Sequence, residues 1–335
     1  MQPQKAIQLY LENRNDAAQS TIQSYEYRLQ HFTRWWSEEK SGVLSSLDEL
    51  RPHHLEEYRS WRRRDGDLSR ASEKTQMDSL RVWLRYCERM DWVIDDLSEA
   101  VISPALSKSD KSRDEKVSQE VAEDVLDYLK RFEYASRRHV CILLMWHTAA
   151  RTGTVRAIDL TDYHPRDEYI DTQHRPSEGT PLKKQEDGER YISISGEVCN
   201  VIDDYIRENR IEITDEFDRE PLLTTESGRI SRSTIRRYAY QSTRQCVYDC
   251  GSCPENKEPE ECQAAQNHGS ESNCPTARSP HSWRRGSITH MLLRDVPSEI
   301  VSDRANVSQD VLDEHYDRRS KYDKMETRRG FLDNI

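Results

Sequence analysis

Ser279-Pro280-His281-Ser282-Trp283-Arg284-Arg285-Gly286-Ser287-Ile288-Thr289-His290 is the stretch on which the reading of this chain turns. His281 precedes Arg284 by one helical turn, so both side chains fall on one face and reach one ligand. A guanidinium clasps the non-bridging oxygens of a phosphate through a planar fork, which lysine cannot do. An imidazole beside it can exchange a proton on the same group. Working outward, a second arginine, Arg151, lies 133 residues earlier, and Tyr316 lies 32 residues later. A tyrosine hydroxyl can attack phosphorus and hold it covalently. Two phosphate forks, a proton carrier and a nucleophile are the parts needed to cut and rejoin a nucleic-acid strand with no external energy source.

The wording around these residues carries a resemblance. His147-Thr-Ala-Ala-Arg151-Thr-Gly-Thr-Val-Arg-Ala-Ile-Asp-Leu-Thr-Asp162 resembles the first arginine box of the tyrosine recombinases of the phage-integrase and Xer class. Residues 279–290 resemble their second box, and Val311-Leu-Asp-Glu-His-Tyr316-Asp the box that carries the nucleophile. The wording of Val301-Ser-Asp-Arg-Ala-Asn-Val-Ser308 is most similar to integrases of halophilic archaea. The resemblance implies a mainly α protein, with an N-terminal helical-bundle (SAM-like) core-binding domain and an α+β catalytic domain holding a small antiparallel sheet. It implies site-specific recombination of double-stranded DNA through a 3′-phosphotyrosyl intermediate, by a homo-oligomer that is a tetramer in the synaptic complex. The chemistry calls for no cofactor. The alternatives are a non-catalytic DNA-binding relative and a type IB topoisomerase-like relaxing activity.

Roles follow residue by residue. Arg151 and Arg284 stabilise charge on the phosphate, the kind of donor whose loss costs roughly 10²–10³ in rate. His281 accepts a proton or binds the phosphate. A lysine on a β-hairpin turn protonates the leaving 5′ oxygen, and Lys183 is favoured over Lys184. Tyr316 is the nucleophile, favoured over Tyr322. A family Gly-His dipeptide is missing before the tyrosine, and Arg304 stands near its place as a supporting donor. Asp159 or Asp162 is expected to orient Arg151.

Composition bears on the partner. The chain has 335 residues, with 61 acidic against 50 basic side chains and a net charge of −11. Only 12 of the basic residues are Lys and 38 are Arg. An acidic, lysine-poor surface suits a salt-rich cytoplasm, where charge repulsion is screened within a few ångström. Phosphate affinity comes from local basic faces rather than the sum. The candidates are Arg62, Arg63 and Arg64, then Arg236 and Arg237, then Arg285. The longest apolar run, Val140 to Trp146, is seven residues, far below the roughly 20 of a membrane span. No signal peptide is recognisable, so a cytoplasmic protein with no membrane partner is expected.

Periodicity divides the chain. Residues 1–105 read as a helical domain from the stripes Ile22-Tyr25-Leu29-Phe32-Trp36, Leu55-Tyr58-Trp61 and Met77-Leu80-Leu84-Cys87. Ser20 with Gln23 is expected to cap the first and Ser72 to open the third. Residues 106–117 are polar, charged and aperiodic, a linker. Residues 118–335 form the second domain. Strand patterns are expected at Tyr169–Asp171, Thr180–Lys183 and Tyr191–Ile194, and helices at 198–210, 231–244, 283–294, 298–303 and 309–316.

An insertion at 246–275 carries Cys246, Cys250, Cys253, Cys262 and Cys274 within 29 residues. Cys250, Cys253, Cys262 and Cys274 would supply four thiolates to a structural zinc, with disulfides or free thiols as the other outcomes. Its six acidic residues and one lysine argue against a DNA-reading finger.

Overall fold

The computed structural model describes residues 1–14, 17–107, 115–249 and 253–315, together with Met325 and Arg329. The chain divides into two compact units, residues 1–114 and 115–335.

The first unit is built from α1 (Pro3–Glu12), α2 (Gln19–Trp35), α3 (Pro52–Gly66) and α4 (Arg70–Arg89). Its core is aromatic. The Phe32 ring lies 5.2 Å from both Tyr58 and Trp83, and Trp35 lies 5.5 Å from Tyr58. Rings of this size bury about 150–250 Å² each, enough to hold a small bundle together. The expected stripes supply Leu29, Phe32, Trp36, Leu55, Tyr58, Trp61, Met77, Leu80, Leu84 and Cys87 to that core. Two helix starts differ from expectation. Helix α2 begins at Gln19 with Ala18 at the cap, which places Ser20 inside the first turn rather than at the N-cap. Helix α4 is capped by Ser69, whose hydroxyl accepts from the Ser72 amide, which places Ser72 inside the first turn. Helix α1 went unread, although Pro3 in its first turn and buried Ala6, Ile7 and Tyr10 carry the signal.

The second unit opens with α5 (Gln119–Phe132) and α6 (Arg137–Thr148), each started by a serine hydroxyl that accepts an amide of its first turn (Ser118 and Ser136). A short α7 (Thr152–Ala157) follows, then β1 (Tyr163–His164), β2 (Tyr169–Thr172) and β3 (Arg190–Ser193). These pair antiparallel in the order β1-β2-β3, with Tyr169 opposite Ser193 and Thr172 opposite Arg190. Thr180–Lys183 is not a strand. Pro181 has no N–H for a ladder, and Thr180 makes only an isolated bridge with Arg175. Within this sheet the strand missing from the expectation is β1, two residues long. Helix α8 (Gly196–Glu208), the hairpin of β4 (Thr224–Thr225) and β5 (Gly228–Arg229), and α9 (Arg232–Ser242) complete the frame. After the insertion come α10 (Pro280–Leu293), α11 (Ser298–Ala305) and α12 (Gln309–His315).

Helix α6 runs through the middle of this unit, which is why Val140, Cys141, Ile142, Leu144 and Met145 are all buried and its sequence is apolar nearly all round. Against it pack Trp283 of α10, Tyr205 of α8 and Ile235 of α9. The Trp283 indole donates to the Ala239 carbonyl at 3.2 Å, which fixes α10 on α9. Behind α10 the chain at Val117 runs so close to Gly286 that a Cβ there would lie 2.2 Å from the Val117 carbonyl oxygen. Only glycine fits, and this contact sets the depth at which α10 lies.

Candidate active site

Arg151 is the N-cap residue of α7, with extended backbone (φ −72°, ψ 153°), directly after the end of α6. The turn between them is made by Ala149 in the left-handed region, φ +50°, a conformation that costs a non-glycine residue roughly 1–2 kcal/mol. Arg151 Nη2 donates to the Asn306 carbonyl at 3.0 Å. Arg284 comes from α10, is 4% exposed, and donates to the Ala149 carbonyl and, at 2.6 Å, to that of Ala305. The strained turn before Arg151 is therefore also a seat for Arg284. The two arginines, 133 residues apart in sequence, are held by consecutive carbonyls at the end of α11.

His281 stands in the first turn of α10, whose N-cap Ser279 accepts from the Ser282 amide. Its pKa is depressed, first by partial burial and then by Arg285, Arg284, Lys183 and Arg151. One edge of the residue remains open to solvent, and the four cations act in the same direction as burial. They disfavour the imidazolium, which leaves a neutral imidazole able to accept a proton at neutral pH. Arg151 and Arg284 sit on the adjoining carbonyls of Asn306 and Ala305, and Arg151, Lys183 and Arg284 all lie within electrostatic reach of His281. Lys183 is among them and Lys184 is not; both are exposed in the β2–β3 connection. That connection is fastened by Leu182 N to His174 Nδ1 at 2.9 Å and by Asn306 Nδ2 to the Asp187 carbonyl at 2.9 Å.

Arg304, like Arg284, has both Nη atoms on backbone carbonyls, Nη1 on Ser193 at 2.7 Å and Nη2 on His147 at 2.8 Å, and so ties β3 and α6 to α11. Two expectations are corrected. Asp159 and Asp162 do not orient Arg151. Asp162 takes a bidentate pair from Arg175 at 2.9 and 2.6 Å, and Asp159 binds Arg219 and Arg229 at 2.7 and 2.6 Å. These buried carboxylates are paired with arginines, as buried charges normally are, and they brace the segment after α7. Arg62, expected on a DNA-facing surface, is buried at 5% exposure, with Nε on Gln76 at 2.9 Å and Nη1 on Asp65 at 2.9 Å.

Two residues unread in the sequence belong to the site. Arg190, at the start of β3, donates to the Arg304 carbonyl at 3.1 Å and to the Gly188 carbonyl at 2.8 Å. Its pKa is lowered to about 10 by burial and then by Arg151. Asn306 ends α11 in the left-handed conformation, φ 48°; an asparagine after a helical run is the signal that could have found it.

Tyr316 and Cys250 lie outside the described residues. Among the other predicted surface cations, Arg63 pairs with Glu73 at 2.8 Å, Arg64 is exposed, and Arg285 is half-buried beside His281. Arg236 is exposed and Arg237 contacts His268 of the insertion. A cleft of about 390 Å³ lined by Thr152, Arg232, Ser233, Arg236 and Pro280 opens beside Arg151 and His281. It brings basic side chains of α9 up to the Arg151–His281 cluster. Of the cysteines, Cys246, Cys253, Cys262 and Cys274 are free thiols at intermediate exposure. Among the described residues, no helix is long and apolar enough to cross a membrane.

Residues 7–90 match the family model described as phage integrase, N-terminal SAM-like domain. The whole chain is similar to the Tn1549 transposon integrase in complex with a circular intermediate DNA, at 12% identity over 99% of this chain and 100% of that one, with a TM-score of 0.68. It is similar to a lambda integrase dimer bound to a COC′ core site, at 12% identity over 96% and 97% of the two chains, TM-score 0.63. The N-terminal domain of a phage integrase/site-specific recombinase from Haloarcula marismortui is 38% identical over 31% of this chain and 97% of that domain, with a TM-score of 0.29. No curated protein matches the sequence.

Proposed function

We propose, for a chain whose N-terminal unit is a phage-integrase SAM-like domain and whose fold is that of the tyrosine recombinases, that it is a site-specific DNA recombinase. The observation that carries the reading is the seating of Arg151 and Arg284 on the adjoining carbonyls of Asn306 and Ala305, with His281 one helical turn before Arg284 and the connection that bears Lys183 tied to Asn306. A phosphodiester seated there meets two guanidinium forks at its non-bridging oxygens, an ammonium and a neutral imidazole. Tyr316 attacks phosphorus and its proton passes to His281. The phosphorus–O5′ bond breaks, the leaving oxygen takes a proton from Lys183, and a 3′-phosphotyrosyl link remains. Because the phosphotyrosine keeps the bond energy, a 5′ hydroxyl of a second duplex reverses the steps and rejoins the strand.

DNA is the partner, as it is in the complexes of the similar integrases, and exchange between duplexes calls for a homo-oligomer on that DNA. Arg236 and Arg285, on the helices that border the cluster, supply phosphate contacts. The acidic, lysine-poor composition favours a cytoplasm rich in salt, in keeping with a mobile element of a halophilic archaeon.

The test is Tyr316→Phe on a nicked suicide substrate. Covalent protein–DNA adducts disappear while gel-shift affinity stays near the wild-type value, since a hydroxyl contributes little to electrostatic binding. Adducts persisting in the Phe variant would discard this nucleophile.

A further inference from the structure

Lys183 stands on the exposed part of the connection from β2 to β3, yet a chain of bonds and one close packing contact decide where it stands. The Gln185 amide donates to the Leu182 carbonyl at 3.1 Å, with Gln185 in the left-handed region at φ 53°. Residues 182–185 are thus one hydrogen-bonded turn, and the Lys183 backbone goes where Leu182 goes. Leu182 is buried. Its amide is held by His174, and on its other side lies Gly188. A Cβ on Gly188 would stand 3.0 Å from Leu182 Cβ and 3.2 Å from its Cδ1, so the missing side chain lets the two limbs of the connection close on each other.

Gly188 is fastened in turn. Its carbonyl accepts from Arg190 Nη1 at 2.8 Å and from Thr172 Oγ1 at 3.3 Å. The carbonyl before it, that of Asp187, accepts from Asn306 Nδ2 at 2.9 Å. Arg190 Nε meanwhile donates to the Arg304 carbonyl at 3.1 Å. One rigid guanidinium therefore spans the connection and the end of α11, which the single ammonium of a lysine would not do. The strand start from which it extends is fixed as well, since the Arg190 amide donates to buried Thr172 Oγ1 at 3.0 Å.

We propose that Arg190, together with the Asn306 side chain, is a positioning residue for Lys183. The pair holds Gly188, and through Leu182 the Lys183 turn, against the same helix end whose carbonyls seat Arg284 and Arg151. The inference rests on Lys183 as the proton donor to the leaving oxygen. Arg190 need not touch the phosphate in this role; it keeps the donor in step with the phosphate forks, because proton transfer works only within hydrogen-bond reach.

The experiment is single-turnover cleavage by full-length protein of a suicide DNA with oxygen or sulfur at the 5′ bridging position. Arg190→Met slows cleavage of oxygen DNA by about 10²-fold, as a misplaced catalytic group does. On sulfur DNA it returns to within a few-fold of wild type, because a thiolate leaves without the proton. Asn306→Gly keeps the left-handed backbone and the carbonyl that receives Arg151 but loses the tie to Asp187; it shows the same pattern more weakly, and it carries the test where Arg190→Met fails to fold. Adding Arg190→Met to Lys183→Ala costs nothing further on oxygen DNA, since both act through one proton transfer. Wild-type rates in both variants, or losses that multiply in the double variant, overturn the positioning. If sulfur relieves Lys183→Ala but neither of the other variants, the positioning alone falls. If sulfur does not relieve Lys183→Ala, the proton-donor reading falls and the positioning with it.

Discussion

Replacing Gly286 by alanine tests whether the depth of α10 governs the site. The new methyl would lie 2.2 Å from the Val117 carbonyl oxygen and 3.0 Å from the Trp146 ring. Val117 cannot simply retreat, because its amide donates to the Ser282 carbonyl of the same helix at 3.1 Å. Relief therefore requires a displacement of roughly an ångström, shared between α10 and the segment ahead of α5. Glycine to alanine inside a helix ordinarily gains about 1 kcal/mol. Overpacking against backbone costs about 1–3 kcal/mol, and a carbonyl is less forgiving than a flexible side chain. The net expectation is a loss of up to about 2 kcal/mol, a fall in Tm of several degrees at most for a unit of this size. Arg284, two residues away, moves with the helix, and an ångström at a catalytic group costs about 10²-fold in rate. Thermal unfolding and single-turnover cleavage of a suicide substrate measure the two effects. Gly153→Ala is the control: the nearest neighbour of its methyl is 3.5 Å away, so stability is unchanged or slightly raised. A Gly286→Ala protein as stable and as fast as wild type would refute the reasoning.

Two further outcomes follow from the site. Lys183→Ala slows cleavage of ordinary DNA but not of DNA with sulfur at the 5′ bridging position, because a thiolate leaves unprotonated; Lys184→Ala affects neither, and a failure of sulfur to rescue Lys183→Ala would remove the acid role. The pKa values of His139 and His147 are lowered to about 4, by burial first and then by Lys130 and Arg304 respectively, so the unfolded chain binds more protons than the folded one between pH about 6.5 and 4. Stability is full above about pH 6.5 and falls through that window by about 1.4 kcal/mol per pH unit for each histidine, and urea titrations in which His139→Gln leaves the slope unchanged would contradict this.

Much of the architecture was legible because apolar spacing is a local signal. Phe32 and Trp36 announced α2, and the run from Val140 to Trp146 announced a buried helix. The residues legible at the site were those whose chemistry needs a fixed type: Arg151, His281 and Arg284. What was not legible depends on partners far away in sequence. Arg62 looks like its neighbours Arg63 and Arg64, yet it faces Gln76 on the next helix. Arg304 resembles a free donor until Ser193 and His147 are brought to it. Thr180–Lys183 alternates like a strand, but Pro181 cannot join a ladder. Arg190 is one of 38 arginines, and only the β3 register shows that it points toward the cluster.

Three successive carbonyls at the end of α11, those of Arg304, Ala305 and Asn306, receive Arg190, Arg284 and Arg151 in turn. The exposed carbonyls of a helix C-terminus carry partial negative charge, so guanidiniums are drawn there without any ligand. Their dehydration and rotamer ordering are accomplished when the chain folds, and little reorganisation remains for the moment a phosphate arrives. The same sharing makes the residues thermodynamically inseparable. Removing one alters the field at the other two, so their effects combine non-additively. It also binds the fates of the three arginines to one another, because a shift of that helix end is felt at all of them together.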